Sequence, residues 1–245
     1  MKIRAIIFDK DGTLLDFDAF WMSVAAAAVS DMLKAVNADE SLADECLAAI
    51  GTDGKSATLD GILCKGTYAQ MANAFYDVLK KANCGIEHDT LNTVVIKAFH
   101  NNISHGKVIP ACRDITEVFK RISRLGIKTA VVTTDDRYVT EKCLNALGIK
   151  DFFCRIYTDD GIHPTKPNPH YINQFCVDEG LERTEILMVG DTLTDMTFAE
   201  NGGIKSMGVS KTDEGKRLLL PKASFVTDDI SHIFDVINSM EADTI

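Results

Sequence analysis

The chain has 245 residues, 46% of them apolar and 25% charged, the balance of a globular protein able to bury a substantial core. A formal charge of -10 and a pI near 5.0 argue against a nucleic-acid binder, which carries a basic stripe. Seven cysteines, an odd number without a Cys-x-x-Cys pair, fit reduced thiols better than a disulfide framework or a zinc site.

No apolar stretch approaches the ~20 residues needed to span a bilayer. Met1-Lys2 runs straight into an apolar segment, leaving no room for a cleavable signal peptide. The expectation is a cytoplasmic protein with neither a membrane nor a nucleic acid as partner.

In chain order, Ile3 to Phe8 is an isoleucine-rich run closed by a turn signal, which predicts a buried strand. It stops at Asp9-Lys10-Asp11-Gly12-Thr13. Open α/β sheets place ligands at the ends of such strands. Two acids there, two residues apart, either hold a cation or do acid, base or nucleophile work. The plainer alternative is a pair of loop aspartates capping the next helix.

From about Asp18 to His105 the pattern is almost wholly helical. Trp21 to Val36 is alanine-rich without Gly or Pro, Ala69 to Lys81 repeats apolar residues at three- and four-residue steps, and Thr90 to Asn101 is a further helix. Gly51, Gly54, Gly61, Gly66 and Gly85 punctuate this stretch as turns.

From Pro110 the texture alternates. Helices are predicted at Asp114 to Leu125, Tyr138 to Leu147 and Pro169 to Glu179, another beginning at Met196 to Glu200, and a last one at Ile230 to Met240. Strands are predicted at Ile127 to Val132, Cys154 to Tyr157, Ile186 to Val189, Ile204 to Val209 and Ser224 to Val226. This alternation predicts an α/β fold, a Rossmann-like parallel sheet covered by helices on both faces in three layers. The first strand belongs to the same sheet, so the helical stretch is an inserted domain. The expected division is residues 1–17 with 106–245 for the α/β core, and residues 18–105 for the all-helical insertion.

A parallel sheet would bring several strand ends to one edge: Asp9 and Asp11, Thr133-Thr134, the Lys166 loop, and Gly190-Asp191 with Asp195 following. Carboxylates crowded there repel, raising one another's pKa. A hard divalent cation relieves this, and oxygen ligands without His or Cys favour Mg2+ over Zn2+. A lysine and a hydroxyl beside such a cation suit the oxygens of a phosphoryl group. An aspartate there can attack phosphorus and become an aspartyl phosphate. Asp135, Asp136, Asp159 and Asp160 also lie near strand ends and are read as helix or turn caps, positions that favour Asp.

Taken in order, these residues resemble the motifs of the haloacid dehalogenase-like hydrolases, in a branch similar to the phosphoglycolate phosphatases. The resemblance covers the whole chain. Asp9-Lys10-Asp11-Gly12-Thr13 matches the first motif and Thr133 the second. Lys166, in Lys166-Pro167-Asn168-Pro169, matches the third, and Gly190-Asp191 with Asp195 the fourth. Each later motif alone has an ordinary reading, a strand-end cap or a solvated lysine; four in the right order do not.

The resemblance implies a Mg2+-dependent phosphatase acting on a small phosphorylated metabolite, phosphoglycolate-like or a sugar phosphate, through an aspartyl phosphate. Asp9 is then nucleophile and metal ligand. Asp11 protonates the leaving oxygen, activates the hydrolytic water, and offers its backbone carbonyl to the metal. Asp191 is the second carboxylate ligand, and Asp195 orients the site. Thr133, the Thr134 backbone N–H and Lys166 hold the phosphoryl oxygens.

The insertion corresponds to a cap that closes over the site and selects the substrate, with Lys55 and Lys65 as candidate contacts. His88, His100 and His105 lack ligand spacing. The alternatives are a phosphomutase on the same core, or a non-catalytic relative that binds a phosphorylated ligand. Dehalogenation is disfavoured because the dehalogenases lack the second acid of the first motif, here Asp11.

Overall fold

The structure, a computed structural model, describes residues 2–58 and 61–242. Contacts divide the chain into two compact units, Phe17–Ile109 and Met1–Asp16 together with Pro110–Ile245.

The first unit is helical, with α1 at Phe17–Ala35, α2 at Ala43–Ala49, α3 at Ile62–Lys65, α4 at Tyr68–Lys81 and α5 at His88–Asn102. Its core follows from the apolar stripe of α1: Phe20, Trp21, Val24, Ala28 and Met32 are buried. Trp21 meets Phe99 of α5 with ring centroids 6.2 Å apart, and Phe99 meets Tyr68 of α4 at 5.4 Å. The start of α4 is fixed by a capping box between Thr67 and Gln70. No helix among the described residues is long and apolar enough to cross a membrane.

The second unit is the α/β body. Its strands are β1 (Ala5–Phe8), β2 (Lys128–Val132), β3 (Phe153–Tyr157), β4 (Ile186–Gly190), β5 (Lys205–Val209) and β6 (Phe225–Thr227). They form one sheet in the order β3-β2-β1-β4-β5-β6 with every pairing parallel. The helices are α6 (Ile115–Arg124), α7 (Arg137–Ala146), α8 (His170–Glu179), α9 (Leu193–Gly202), α10 (Asp213–Leu219) and α11 (Ile233–Ala242).

Side chains alternate across a strand, so β1 feeds two cores. Phe8 packs on Phe119 of α6 at 5.2 Å between ring centroids. Ala5 and Ile7 join the opposite cluster with Tyr171, Ile172 and Phe175 of α8 and Phe198 of α9. All four residues of β1 and all five of β4 are buried, as the continuous apolar runs of a two-sided sheet require.

Several elements depart from the sequence expectation or went unresolved by it. α9 begins at Leu193 rather than Met196, because Thr192 and Asp195 form a reciprocal capping box that starts the helix earlier. α2 and α10 have seven residues each, too few for an apolar period to delimit them. The last helix begins at Ile233, after a single 3-10 turn over Ile230–His232 capped by Asp229.

The order of strands reverses between β1 and β4, which run side by side. In open α/β sheets the ligand crevice lies at such a switch point, beyond the carboxyl ends of the strands. Asp9 follows β1 and Asp191 follows β4, so the reversal sets the two acids next to each other.

Candidate active site

The β1 exit is a tight turn. The Asp9 N–H donates to the Val189 carbonyl at 2.8 Å, extending the β1–β4 ladder by one residue. The chain then folds back, with Leu14 and Leu15 N–H groups donating to the Lys10 carbonyl at 2.8 and 3.3 Å.

Gly12 makes the reversal at φ 74°, a left-handed conformation costly for residues with a Cβ. A Cβ there would stand 2.0 Å from Asp191 Oδ2. Gly12→Ala is therefore expected to cost roughly 2–4 kcal/mol, the left-handed penalty plus the clash. A thermal melt should fall by on the order of 10 °C. An unchanged melt would show that the turn relaxes at no cost.

Three carboxylates meet at this edge. Asp9, Asp191 and Asp195 each offer an oxygen, and these oxygens lie within 4.8 Å of one another. Lys166 Nζ is the cation among them, donating to Asp9 Oδ1 at 2.5 Å and to Asp195 Oδ1 at 2.6 Å. It comes from the loop before α8, where the Lys166–Pro167 peptide is cis.

Asp195, fully buried, uses its other oxygen locally. Its Oδ2 accepts from the Thr192 N–H at 3.1 Å and the Thr192 hydroxyl at 2.6 Å. Asp191 Oδ1 accepts from the Thr13 hydroxyl at 3.2 Å. Gly190 is needed beneath them, since a Cβ there would meet the Asp195 Cβ at 2.4 Å.

Three carboxylates against one ammonium leave the cluster two charges negative, and burial makes that expensive. Burial pushes Asp9 up to about 7, against the pull of Lys166, with Asp195 and Asp11 adding repulsion. Asp191 is held well above the ordinary carboxylate range by burial first, then by Asp9 and Asp195. Burial works against the Lys166 charge, but Asp195 and Asp9 hold its pKa above the lysine value.

Thr133, the first residue past β2, is buried, and its hydroxyl accepts from the Asp135 N–H at 3.2 Å. Thr134 is half-buried beside it. Asp11 lies close enough for its charge to act on Asp9. Lys55 and Lys65 belong to the helical unit. Lys55 is exposed in a turn where its N–H donates to Asp53 Oδ1 at 2.9 Å, and Lys65 is exposed at the end of α3.

The aspartates read as caps divide. Asp136 caps α7, accepting from the Val139 N–H at 2.9 Å, and Asp159 and Asp160 accept N–H groups within their own turn. Asp135 is no cap. Its Oδ2 lies 2.8 Å from Lys10 Nζ, which also donates to Asp11 Oδ1 at 2.6 Å.

Lys10 is entirely buried. Burial works against its charge, yet Asp11 and then Asp135 hold its pKa above the lysine value. Burial raises Asp135 to about 8, opposed by Lys10 and reinforced by Asp11. Sequence reading missed this pair. The available signal was a lysine between two acids at the end of an otherwise apolar strand.

A family model described as haloacid dehalogenase-like hydrolase matches residues 6–209. A phosphoglycolate phosphatase of Vibrio vulnificus is 26% identical over 239 residues, covering 96% of each chain. A pyrophosphatase, PpaX, of Halalkalibacterium halodurans is 26% identical over 218 residues, covering 88% of this chain and 87% of its own. Among solved structures, one described as a predicted phosphoglycolate phosphatase from Haemophilus somnus superposes with a TM-score of 0.68 at 21% identity. It spans 96% of this chain and 98% of that one.

Proposed function

The chain belongs to the haloacid dehalogenase-like hydrolases and is an enzyme of the phosphatase kind, and we propose that it is a Mg2+-dependent hydrolase of small phosphomonoesters working through an aspartyl phosphate on Asp9. The observation that carries this reading is the buried cluster at the β1–β4 switch point. There Asp9 and Asp195 share one lysine beside a third carboxylate, Asp191, so three carboxylates face a single cation.

The residues present fit a divalent cation. The donors are oxygens only, and the deficit of two charges matches one such ion. Asp9, Asp191 and the Asp11 carbonyl would hold Mg2+, which when bound neutralises the crowded carboxylates and the phosphoryl charge. Both Asp195 oxygens are engaged by Lys166 and Thr192, which suits an orienting role better than ligation.

With its pKa raised to about 7, Asp9 is only partly ionised at neutral pH unless positive charge is added beside it. Lys166, whose pull is already counted in that value, fixes the direction of the carboxylate, and the remaining charge would come from the cation. The other Asp9 oxygen attacks phosphorus, an Asp9–phosphorus bond forms, and the ester P–O bond breaks. The Asp11 carboxyl gives its proton to the departing oxygen. Asp11, now ionised, takes a proton from water as that water attacks phosphorus. The Asp9–phosphorus bond breaks, inorganic phosphate leaves, and both aspartates return to their starting states. Thr133, the Thr134 N–H and Lys166 hold the phosphoryl oxygens as charge builds on them.

Substrate selection we assign to the helical unit, with Lys55 and Lys65 as the candidate side chains. The residue 18–105 insertion is on this reading the cap.

Phosphate release from p-nitrophenyl phosphate in Mg2+ tests the proposal. We expect turnover that EDTA reduces to background and that excess Mg2+ restores. A panel of ~100 phosphorylated metabolites, read by inorganic phosphate and by retained sugar phosphate, then identifies the substrate class. No release from any phosphoester in Mg2+ would overturn the proposal. Migration of phosphate within a sugar instead of its release would establish a mutase.

A further inference from the structure

The reaction above makes no use of Lys10. Its side chain has no exposure at all, in a position where an apolar residue would complete the strand end. Burying an ammonium costs several kcal/mol, and a well-packed apolar side chain in its place is often as stable or more so. A buried ion pair is thus weak evidence for stability, and the reason for this one is sought in what it touches. Lys10 Nζ reaches Asp11 Oδ1 at 2.6 Å and Asp135 Oδ2 at 2.8 Å.

Asp135 is itself anchored at both ends of its peptide unit. Its N–H donates to the Thr133 hydroxyl at 3.2 Å, and its carbonyl accepts from the Asp159 N–H at 2.8 Å. The pair therefore ties the Asp11 carboxyl to the exits of β2 and β3. An aspartate in a turn would otherwise sample several rotamers, and proton transfer to a leaving oxygen requires one of them.

We infer that Lys10, braced by Asp135, is a positioning residue for this hydrolase: it fixes the direction in which Asp11 presents its carboxyl to the leaving group. The inference rests on the phosphatase reading, and the experiment separates the two.

Substituted phenyl phosphates of rising leaving-group basicity, from p-nitrophenyl to phenyl phosphate, are turned over in Mg2+ by the wild-type chain, Lys10→Met and Asp135→Asn. Met keeps the unbranched stem of lysine, and Asn keeps the volume of aspartate. In the wild type, proton delivery should make log kcat/KM nearly independent of leaving-group basicity.

In Lys10→Met we expect a steep fall with basicity. The loss on phenyl phosphate should exceed that on p-nitrophenyl phosphate by about tenfold or more, part of the ~10²–10⁴ that positioned proton transfer supplies. Asp135→Asn should move the same way by less, since it keeps Lys10 on Asp11. If Lys10→Met does not fold, as a melt would show, Asp135→Asn carries the comparison. A loss equal across the series, or none, overturns the inference while leaving the phosphatase reading intact. A wild type inert to every ester overturns that reading and this inference with it.

Discussion

Asp9→Asn will leave phosphate release at background while the protein remains folded. Asparagine keeps the shape of the side chain and an oxygen for Lys166, which sits 2.5 Å from Asp9 Oδ1. It removes the carboxylate that we propose as nucleophile, and on that proposal the covalent step that divides one difficult displacement into two easier ones. Uncatalysed phosphate-monoester hydrolysis is among the slowest reactions known, so little can compensate. We expect kcat to fall on the order of 10⁵-fold or more, the scale seen when an essential nucleophile is deleted elsewhere. Acid-quenched wild-type enzyme should carry covalent phosphate during turnover, and Asp9→Asn should carry none. Retention of more than about one per cent of activity would mean that another group attacks phosphorus.

The second large effect concerns stability rather than rate. Asp9 titrates at about 7 in the folded chain and Asp135 at about 8, against about 3.9 for an unfolded aspartate. Between those limits the folded state binds more protons than the unfolded one, so stability falls as pH rises. The fall begins near pH 4, runs through about pH 7 to 8, and then levels off. Asp191, raised by burial and its neighbours, acts in the same direction.

Lys10 and Lys166 are raised instead, so their contribution is fully present throughout this window and is lost only at strongly alkaline pH. For Asp9 alone the linkage is on the order of 4 kcal/mol. In EDTA the α/β unit should therefore melt on the order of 10 °C lower at pH 8 than at pH 5. Mg2+ should raise the pH 8 melt far more than the pH 5 melt, because only ionised carboxylates hold it. Asp9→Asn, which needs no proton to be neutral, should make the metal-free profile shallower and leave the part due to Asp135 and Asp191. Equal melting at pH 5 and pH 8 in EDTA would contradict this.

Much of the α/β body was legible in the sequence because burial on both faces writes itself as uninterrupted apolar runs. Ala5–Phe8 and Ile186–Gly190 are the examples, each closed by a glycine or an acid. The helix Tyr68–Lys81 was legible through its apolar period. Short helices such as Asp213–Leu219 were not, since seven residues give too few turns for a period to show.

At the site, the residues at strand ends were named because parallel strands must deliver them to one edge. Asp135 was misread because a cap and a buried ion pair look alike in sequence. The side-chain direction that separates them depends on Lys10, more than a hundred residues away. Asp195 presents the converse. Its capping box with Thr192 and its contact with Lys166 are one geometry, so the residue that starts α9 also orients the lysine.

The position of β1 in the sheet bears on how the chain is made. Ala5 pairs with Lys128 on one side and with Ile186 on the other, so this central strand has no partner until β2 is made and lacks its second until β4 is made. Such long-range pairing is slow, and an unpaired apolar strand is exposed to aggregation meanwhile. The helical unit, compact within Phe17–Ile109, is made before β2. A ribosome-bound chain stopped before β4 would thus hold a finished helical unit while Ala5–Phe8 had β2 on one side and still lacked its neighbour on the other. The acids at the β1 exit would gain their neighbours Asp191 and Asp195 only once β4 and the start of α9 had been made.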